Sequence, residues 1–217
     1  MKKSLLAICI AITSLASIQQ ASGQLWVMGD AGCFIAKDAF GFGPTAKAGW
    51  HFGDYDINMA TLGGGYYIIP DQKLFITVYD TLGGTDTLES TLKSNIISID
   101  ADYRRYLLGT DVDDFFAFYA IGGVSAWMLA TTVRMPEYDK GLFAVSSETK
   151  LTEKTFSIRL PVGVGVDATI LGKFWWYFEA RLELPITQVN NEFIGNDFGV
   201  SYGFCTGVRV PVWRYGF

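Results

Sequence analysis

The 217-residue chain contains one histidine, three cysteines and six prolines, and it carries no excess of positive charge. Each scarcity removes a class of function. His51 alone cannot build a zinc site, and no cluster of His and Cys has metal-ligand spacing. The formal charge is −5 at pH 7, so the basic patch that nucleic-acid binding needs is missing. After residue 23 no apolar run is long enough for a spanning helix, which needs about 20 residues. Gly63-Gly64-Gly65 is not followed by Lys-Ser/Thr or by a helical pattern, so it is not a phosphate loop. No serine stands in a nucleophile motif. His51, near Asp54 and Asp56, retains the general-base option that any histidine beside carboxylates has, but its bland reading is a rim or lumen side chain. No cofactor is implied, and no enzymatic activity is expected.

The chain opens with a basic Met1-Lys2-Lys3, an apolar run from Leu5 to Ile18 and small residues at Ala21-Ser22-Gly23. This is the pattern of a secretory signal peptide. Residues 1–23 are therefore set apart, and 24–217 are expected to form one domain. Losing Lys2 and Lys3 shifts the formal charge from −5 to −7. Cys33 and Cys205 are too few to staple a fold; a disulfide between them and two separate buried thiols both remain open.

What the chain has in abundance is alternation. From Phe156 to Ile170 every even position is apolar, while the odd positions are polar, glycine or proline: Ser157, Arg159, Pro161, Gly163, Gly165, Asp167, Thr169. After Leu171-Gly172-Lys173 the pattern resumes with Phe174, Trp176, Phe178, Ala180, Leu182, Leu184 and Ile186 against Trp175, Tyr177, Glu179, Arg181, Glu183, Pro185 and Thr187. Successive strand side chains point to opposite faces, so these are long strands between two unlike media. They run about three times the usual 5 or 6 residues of soluble strands. Long alternating segments joined by tight turns mark a transmembrane β-barrel.

Similar segments appear at 45–53, 57–69, 73–80, 94–104, 115–134 and 198–210, with turns at Asp54-Tyr55-Asp56, Pro70-Asp71-Gln72 and 109–114. Counting from Thr45 gives eight strands, the even number such barrels require. The segment Leu25 to Ala36 alternates weakly, with Asp30 its only charge. Either it is not a full strand, or a tenth strand lies in the 81–91 or 135–153 loop. The expected fold is all-β: a closed antiparallel up-and-down barrel of eight strands, with ten as the alternative.

Alternation alone does not say which face looks outward. A soluble lipocalin-like ligand-binding barrel would bury the aliphatics. The polar face, however, is crowded with glycine (Gly163, Gly165, Gly199, Gly203, Gly207), as suits a narrow, filled interior. Aromatics also gather at run ends, at Phe174-Trp175-Trp176-Tyr177 and at Trp213, Tyr215 and Phe217, as in an interfacial girdle. With the apolar face outward, the lumen collects Lys47, Arg104, Arg159, Arg181 and Arg209 against Asp100, Asp102, Asp167, Glu179 and Glu183. Five of each sign form a balance, and buried charges persist when paired. An eight-stranded barrel is only wide enough inside for its own side chains. A salt-bridged plug is therefore expected, with a small-solute channel as the alternative.

In pattern the chain resembles the small outer-membrane β-barrel proteins of Gram-negative bacteria, including porin-like families of eight-stranded barrels. In those families the last strand ends in an aromatic preceded by alternating hydrophobics, read by the barrel-assembly machinery; Trp213, Tyr215 and Phe217 fit this. Upstream the apolar parity moves to Val208, Val210 and Val212, so a one-residue bulge is expected near Pro211. The resemblance implies an outer-membrane location, contact with membrane lipid and a monomeric state. Function would then fall to loops 81–91, 135–153 and 188–197, with Tyr138, Phe143 and Phe193 available to a surface partner or polysaccharide.

Overall fold

A computed structural model describes residues 24–37, 39–52, 57–80, 84–108, 115–134, 143–145, 152–170, 174–187 and 199–213. The segment read as a signal peptide, the loop 188–197, most of 135–153, and Tyr215 and Phe217 lie outside the described residues; the stretch 81–91, expected as a loop, is instead strand from Thr85 on, held there by its pairing with the end of the preceding strand. Every element is a strand: β1 (Leu25–Ile35), β2 (Phe40–Phe52), β3 (Asn58–Asp80), β4 (Thr85–Leu108), β5 (Phe116–Arg134), the three-residue β6 (Phe143–Val145), β7 (Thr152–Ile170), β8 (Phe174–Pro185) and β9 (Ser201–Trp213). All pairings are antiparallel, and β1 pairs with both β2 and β9. With β2 also paired to β3, eight strands close into a ring, and β6 merely adds to the far end of β3.

The number eight therefore holds, but its membership changes. Leu25–Ile35 is a full wall strand, hydrogen-bonded along its length on both sides. Its alternation is weak because Gly29 and Ala31 take outward positions that larger aliphatics hold elsewhere. Conversely, 57–69 and 73–80 belong to one strand. Pro70-Asp71-Gln72 is not a turn but a register shift in the β3–β4 ladder between Ile69 and Gln72. The extra residue of such a bulge flips parity, so both Ile69 and Gln72 sit on the less exposed face. The β1–β9 ladder also shifts, pairing Leu25 with Trp213 but Trp26 with Pro211, which places a bulge at Val212 beside the proline.

The outward face settles what surrounds the barrel. On β7 the exposed or half-exposed set is Phe156, Ile158, Leu160, Val162, Val164, Val166, Ala168 and Ile170. On β4 it is Ile97, Ile99, Ala101 and Tyr103, and on β9 Tyr202, Phe204, Thr206, Val208 and Val210. Val164 is 61% exposed and Ile99 is 61% exposed, and their direct ladder partners, Ala120 and Ala180 for Val164 and Gly64 and Ala126 for Ile99, carry no charge. A continuous apolar belt of this kind would be insoluble in water and belongs in hydrocarbon. A soluble barrel with its aliphatics inside is excluded. Aromatics ring the belt at the end bearing the termini, where Trp50, Phe116, Phe118, Phe174 and Trp176 are exposed.

The wall is uneven. β3 and β4 run 23 and 24 residues, β5 and β7 run 19 each, and the other four only 11 to 13. At the end opposite the termini, β3, β4, β5 and β7 rise above the rest. Among the described residues, β3 has no ladder partner on its β2 side from 69 to 77.

Candidate functional site

The lumen is lined by the second parity of each strand, and it is filled. At the end bearing the termini lies an apolar and aromatic layer of Trp26, Met28, Met59, Tyr106, Ala117, Tyr119, Ile121, Trp175 and Tyr177. At the loop-bearing end lies another, of Phe34, Ala36, Ala39, Ile69, Ile96, Trp127 and Leu129, with Tyr67 packed against it. Between and among them sit the charges. Lys47, Asp100, Asp102, Arg104, Arg159, Asp167, Glu179, Arg181, Glu183 and Arg209 are all buried and face the lumen. Asp30 joins them, so the described lumen carries six carboxylates to five fixed cations rather than an equal count.

Glu179 is the hub of the main cluster. Arg104 Nη2 stands 2.6 Å from Glu179 Oε1, and both side chains are fully buried. The Tyr119 hydroxyl donates to the same oxygen at 2.9 Å. Arg181 Nε donates to Glu179 Oε2 at 2.9 Å, while its Nη2 lies 2.9 Å from Asp102 Oδ2. Lys47 Nζ then donates to Asp102 Oδ2 at 3.2 Å. Four strands, β2, β4, β5 and β8, are thereby tied across the bore. The spacing of Glu179, Arg181 and Glu183 places them on one face about 6.8 Å apart, but Arg181 reaches down to Glu179 and across to Asp102 rather than up to Glu183.

A second cluster lies nearer the termini. Arg209 Nη2 pairs with Asp167 Oδ2 at 2.7 Å, and the Tyr106 hydroxyl donates to that oxygen at 2.8 Å. The Arg209 guanidinium is held over the rings of Trp26 and Trp175, 4.7 and 4.8 Å from their centroids. His51 belongs to this cluster. It is buried, its ring stacks on Tyr106 at 5.4 Å, and its Nε2 lies 3.4 Å from Arg209 Nη1. His51 thus faces the lumen, one residue from the end of β2.

Three further ionisable groups lie outside these two clusters. Asp100 accepts from Ser98 at 3.0 Å and from Ser125. Asp30 accepts from Thr45 and Tyr177. Arg159 lies 4.4 Å over the Trp127 ring and donates to the carbonyls of Glu183 (3.1 Å) and Gly199 (2.6 Å) and to the Ser201 hydroxyl (3.0 Å). A cavity of about 30 Å³ remains between Asp30, Lys47, Asp100, Arg181, Glu183 and Tyr67, room for a water molecule or two. No group of His, Cys, Asp and Glu among the described residues is arranged to hold a metal.

Two features of this interior escape a reading by charge. Trp175 and Tyr177, which look like part of an interfacial girdle, point inward and are 5% and 0% exposed, whereas Phe174 and Trp176 point outward. The signal was parity: Trp175 and Tyr177 share the odd register of Glu179. Asp30 was likewise findable, since it shares the even register of Trp26 and Met28. The two thiols are free and separated by the wall, Cys33 on the outward register and Cys205 inside, where its Sγ donates to Glu179 Oε2 at 3.3 Å.

Glycine makes the packing possible at two places. A Cβ on Gly165 would sit 2.3 Å from the Tyr119 ring, and one on Gly207 would sit 2.3 Å from the Gly29 carbonyl oxygen.

No protein-family model and no curated relative matches the chain. Among solved structures, the fold is similar to Neisserial surface protein A, at 16% identity and a TM-score of 0.56, over 86% of this chain and 96% of that one. It is also similar to a major outer membrane protein from Thermus thermophilus, at 12% identity and a TM-score of 0.60, over 87% of this chain and 98% of that one. The architecture is thus that of the small outer-membrane barrels.

Proposed function

We propose that this outer-membrane barrel is a non-enzymatic, closed one, with its lumen plugged by salt-bridged side chains and its role exerted at the loop-bearing end. The observation that carries this reading is the Arg104–Glu179 pair: two opposite charges without solvent exposure, buried between two aromatic layers. A conducting lumen keeps its charges wet, and a ligand-binding lumen keeps a pocket large enough for the ligand. Here the charges are met by one another or by buried hydroxyls and carbonyls, and the described cavity admits only water. The bore fits an eight-stranded barrel, whose interior accommodates side chains and little else.

With the bore closed, what distinguishes this barrel is its exterior. The connections 81–84, 135–151 and 186–200 all leave from the end opposite the termini, where β3, β4, β5 and β7 rise above the other strands. In an outer membrane that end faces out of the cell, since barrels of this kind keep short turns on the periplasmic side and long loops outside. A structural or surface-interaction role, with a polysaccharide or envelope protein as partner, follows from that placement. The barrel acts as a monomer, and Trp213, Tyr215 and Phe217 serve as its assembly signal.

The test is planar-bilayer recording on purified protein whose gel mobility shows the heat-dependent shift of a folded barrel. The expected result is a quiet baseline. Reproducible open steps of hundreds of picosiemens would overturn the plug and make small-solute permeation the function.

A further inference from the structure

The apolar belt ends differently on its two sides at the loop-bearing rim. Under the tall wall the last row that is apolar on all four strands is Tyr66–Ile97–Met128–Phe156, one residue from each of β3, β4, β5 and β7, in direct register; above it only β3 keeps exposed apolar side chains, Ile68, Phe75 and Tyr79. The next outward rows bring cations. Lys154 stands opposite Ala130, Lys93 opposite Thr132, and Arg134 opposite Thr91. Same-face neighbours along a strand are about 6.8 Å apart and adjacent strands about 4.8 Å. The three side chains therefore arise within a patch roughly 15 Å across, within reach of one headgroup. Among the described residues only Lys93 has an acidic partner, Asp71 at 3.1 Å, and both remain about half exposed. The nearest other acids do not neutralise the patch: Glu89 is engaged by Lys73 at 2.6 Å, and Glu153 lies on the opposite register from Lys154 with an interaction of its own. Across the barrel, the outward positions at the same rim are Ile35, Phe40, Leu184 and Tyr202. The one described cation there, Lys37, is already engaged.

We propose that Lys93, Arg134 and Lys154 form a binding site for the phosphate-bearing headgroup of an anionic lipid in the leaflet at the loop-bearing end. The proposal rests on the membrane-embedded reading above and adds a ligand to it. Three things select this occupant. The cations begin one row above the hydrocarbon-facing aromatics, at the depth where headgroups lie. They are of one sign, opposite to that of phosphate. And the Met128–Phe156 row beneath them supplies a surface for the acyl chain of the same molecule, so headgroup and tail are met by one continuous face. A soluble anion would be met by the charges alone.

The test compares the purified full chain, in neutral detergent, with phosphatidylglycerol and phosphatidylcholine of identical acyl chains, by native mass spectrometry. The wild-type protein should retain phosphatidylglycerol well above phosphatidylcholine. Each cation replaced should weaken that retention about fivefold, from a contribution near 1 kcal/mol per basic residue at a membrane surface, so K93Q/R134Q/K154Q should lose the preference almost wholly. R105Q, at the opposite rim, is the control and should leave it intact. Equal retention of both lipids by the wild type, a preference that survives the triple substitution, or an equal loss in R105Q would each overturn the site. If the triple variant does not fold, R134Q and K154Q singly read the same fivefold steps. The heat-dependent gel shift is recorded for every sample. Its absence in the wild type would refute the barrel itself, whereas its presence with no lipid preference refutes only this site.

Discussion

Replacing Glu179 by alanine should be among the most damaging single changes in the barrel. The carboxylate is fully buried, faces Arg104 and Arg181, and accepts from Tyr119. Arg104 has no other carboxylate at ion-pair distance among the described residues, while Arg181 keeps Asp102 at 2.9 Å. E179A therefore strands one guanidinium in a dry layer. Breaking a buried pair by removing one partner costs about 3–5 kcal/mol, because the remaining charge is left uncompensated. An exposed pair offers the contrast: Lys73 and Glu89 are 73% and 52% exposed, and E89A should cost no more than about 1 kcal/mol. R104M/E179L, which removes both charges and keeps the volume, should recover most of the loss, since buried pairs are often replaceable by packed apolar residues. The assay is guanidinium unfolding of protein refolded into detergent, followed by tryptophan fluorescence and by gel mobility. If E179A unfolds within about 1 kcal/mol of the wild type, water reaches the pair. The lumen is then solvated, and the reasoning behind the plug fails. If R104M/E179L is as unstable as E179A, shape rather than charge is what the hub supplies.

Two further outcomes test the wall. G207A should destabilise the barrel by roughly 2 kcal/mol or more, the scale of overpacking, since its Cβ would meet a backbone oxygen; G29A, which has nothing within 4 Å, should be nearly neutral. The same unfolding assay reads both, and equal effects would show that the backbone is looser than these contacts require. V164R places a charge on a strongly exposed position at the middle of the outward face of β7. It should cost about 2–4 kcal/mol in a bilayer, measured as loss of folding into phosphatidylcholine vesicles; full folding of V164R would contradict the lipid-facing assignment.

Much of this barrel is legible in the chain because period two is a one-dimensional signal. The β7–β8 hairpin declares itself through unbroken alternation, and the parity that puts Val164 outward also puts Asp167 and Glu179 inside. The signal fails where residue type and position part company. β1 carries glycine and alanine outward, so its contrast between faces is small and its membership in the wall looks doubtful. Pro70-Asp71 has the chemistry of a turn, yet the β4 partner holds the strand in line and the extra residue is absorbed as a bulge. Aromatics suit a membrane interface and a tight lumen equally well, and only register separates Trp175 from Trp176. Which carboxylate meets which guanidinium depends on cross-strand registers, which no single strand encodes: Arg181 of β8 meets Asp102 of β4 as well as Glu179 of its own strand.

The unequal strands have a consequence for how the molecule meets its surroundings. A 24-residue strand is about 80 Å long at 3.4 Å per residue. Tilted at 35–45°, it gains roughly 60 Å of height, more than twice the ~25 Å apolar band of such barrels. The short strands stop near the lipid surface. The rim is therefore shaped like a scoop, with a back rising well clear of the bilayer and a front almost level with it. Such a barrel is not equivalent from all compass directions: turning about its own axis in the membrane presents a neighbour first with a sheet standing like a sail, then with an open threshold.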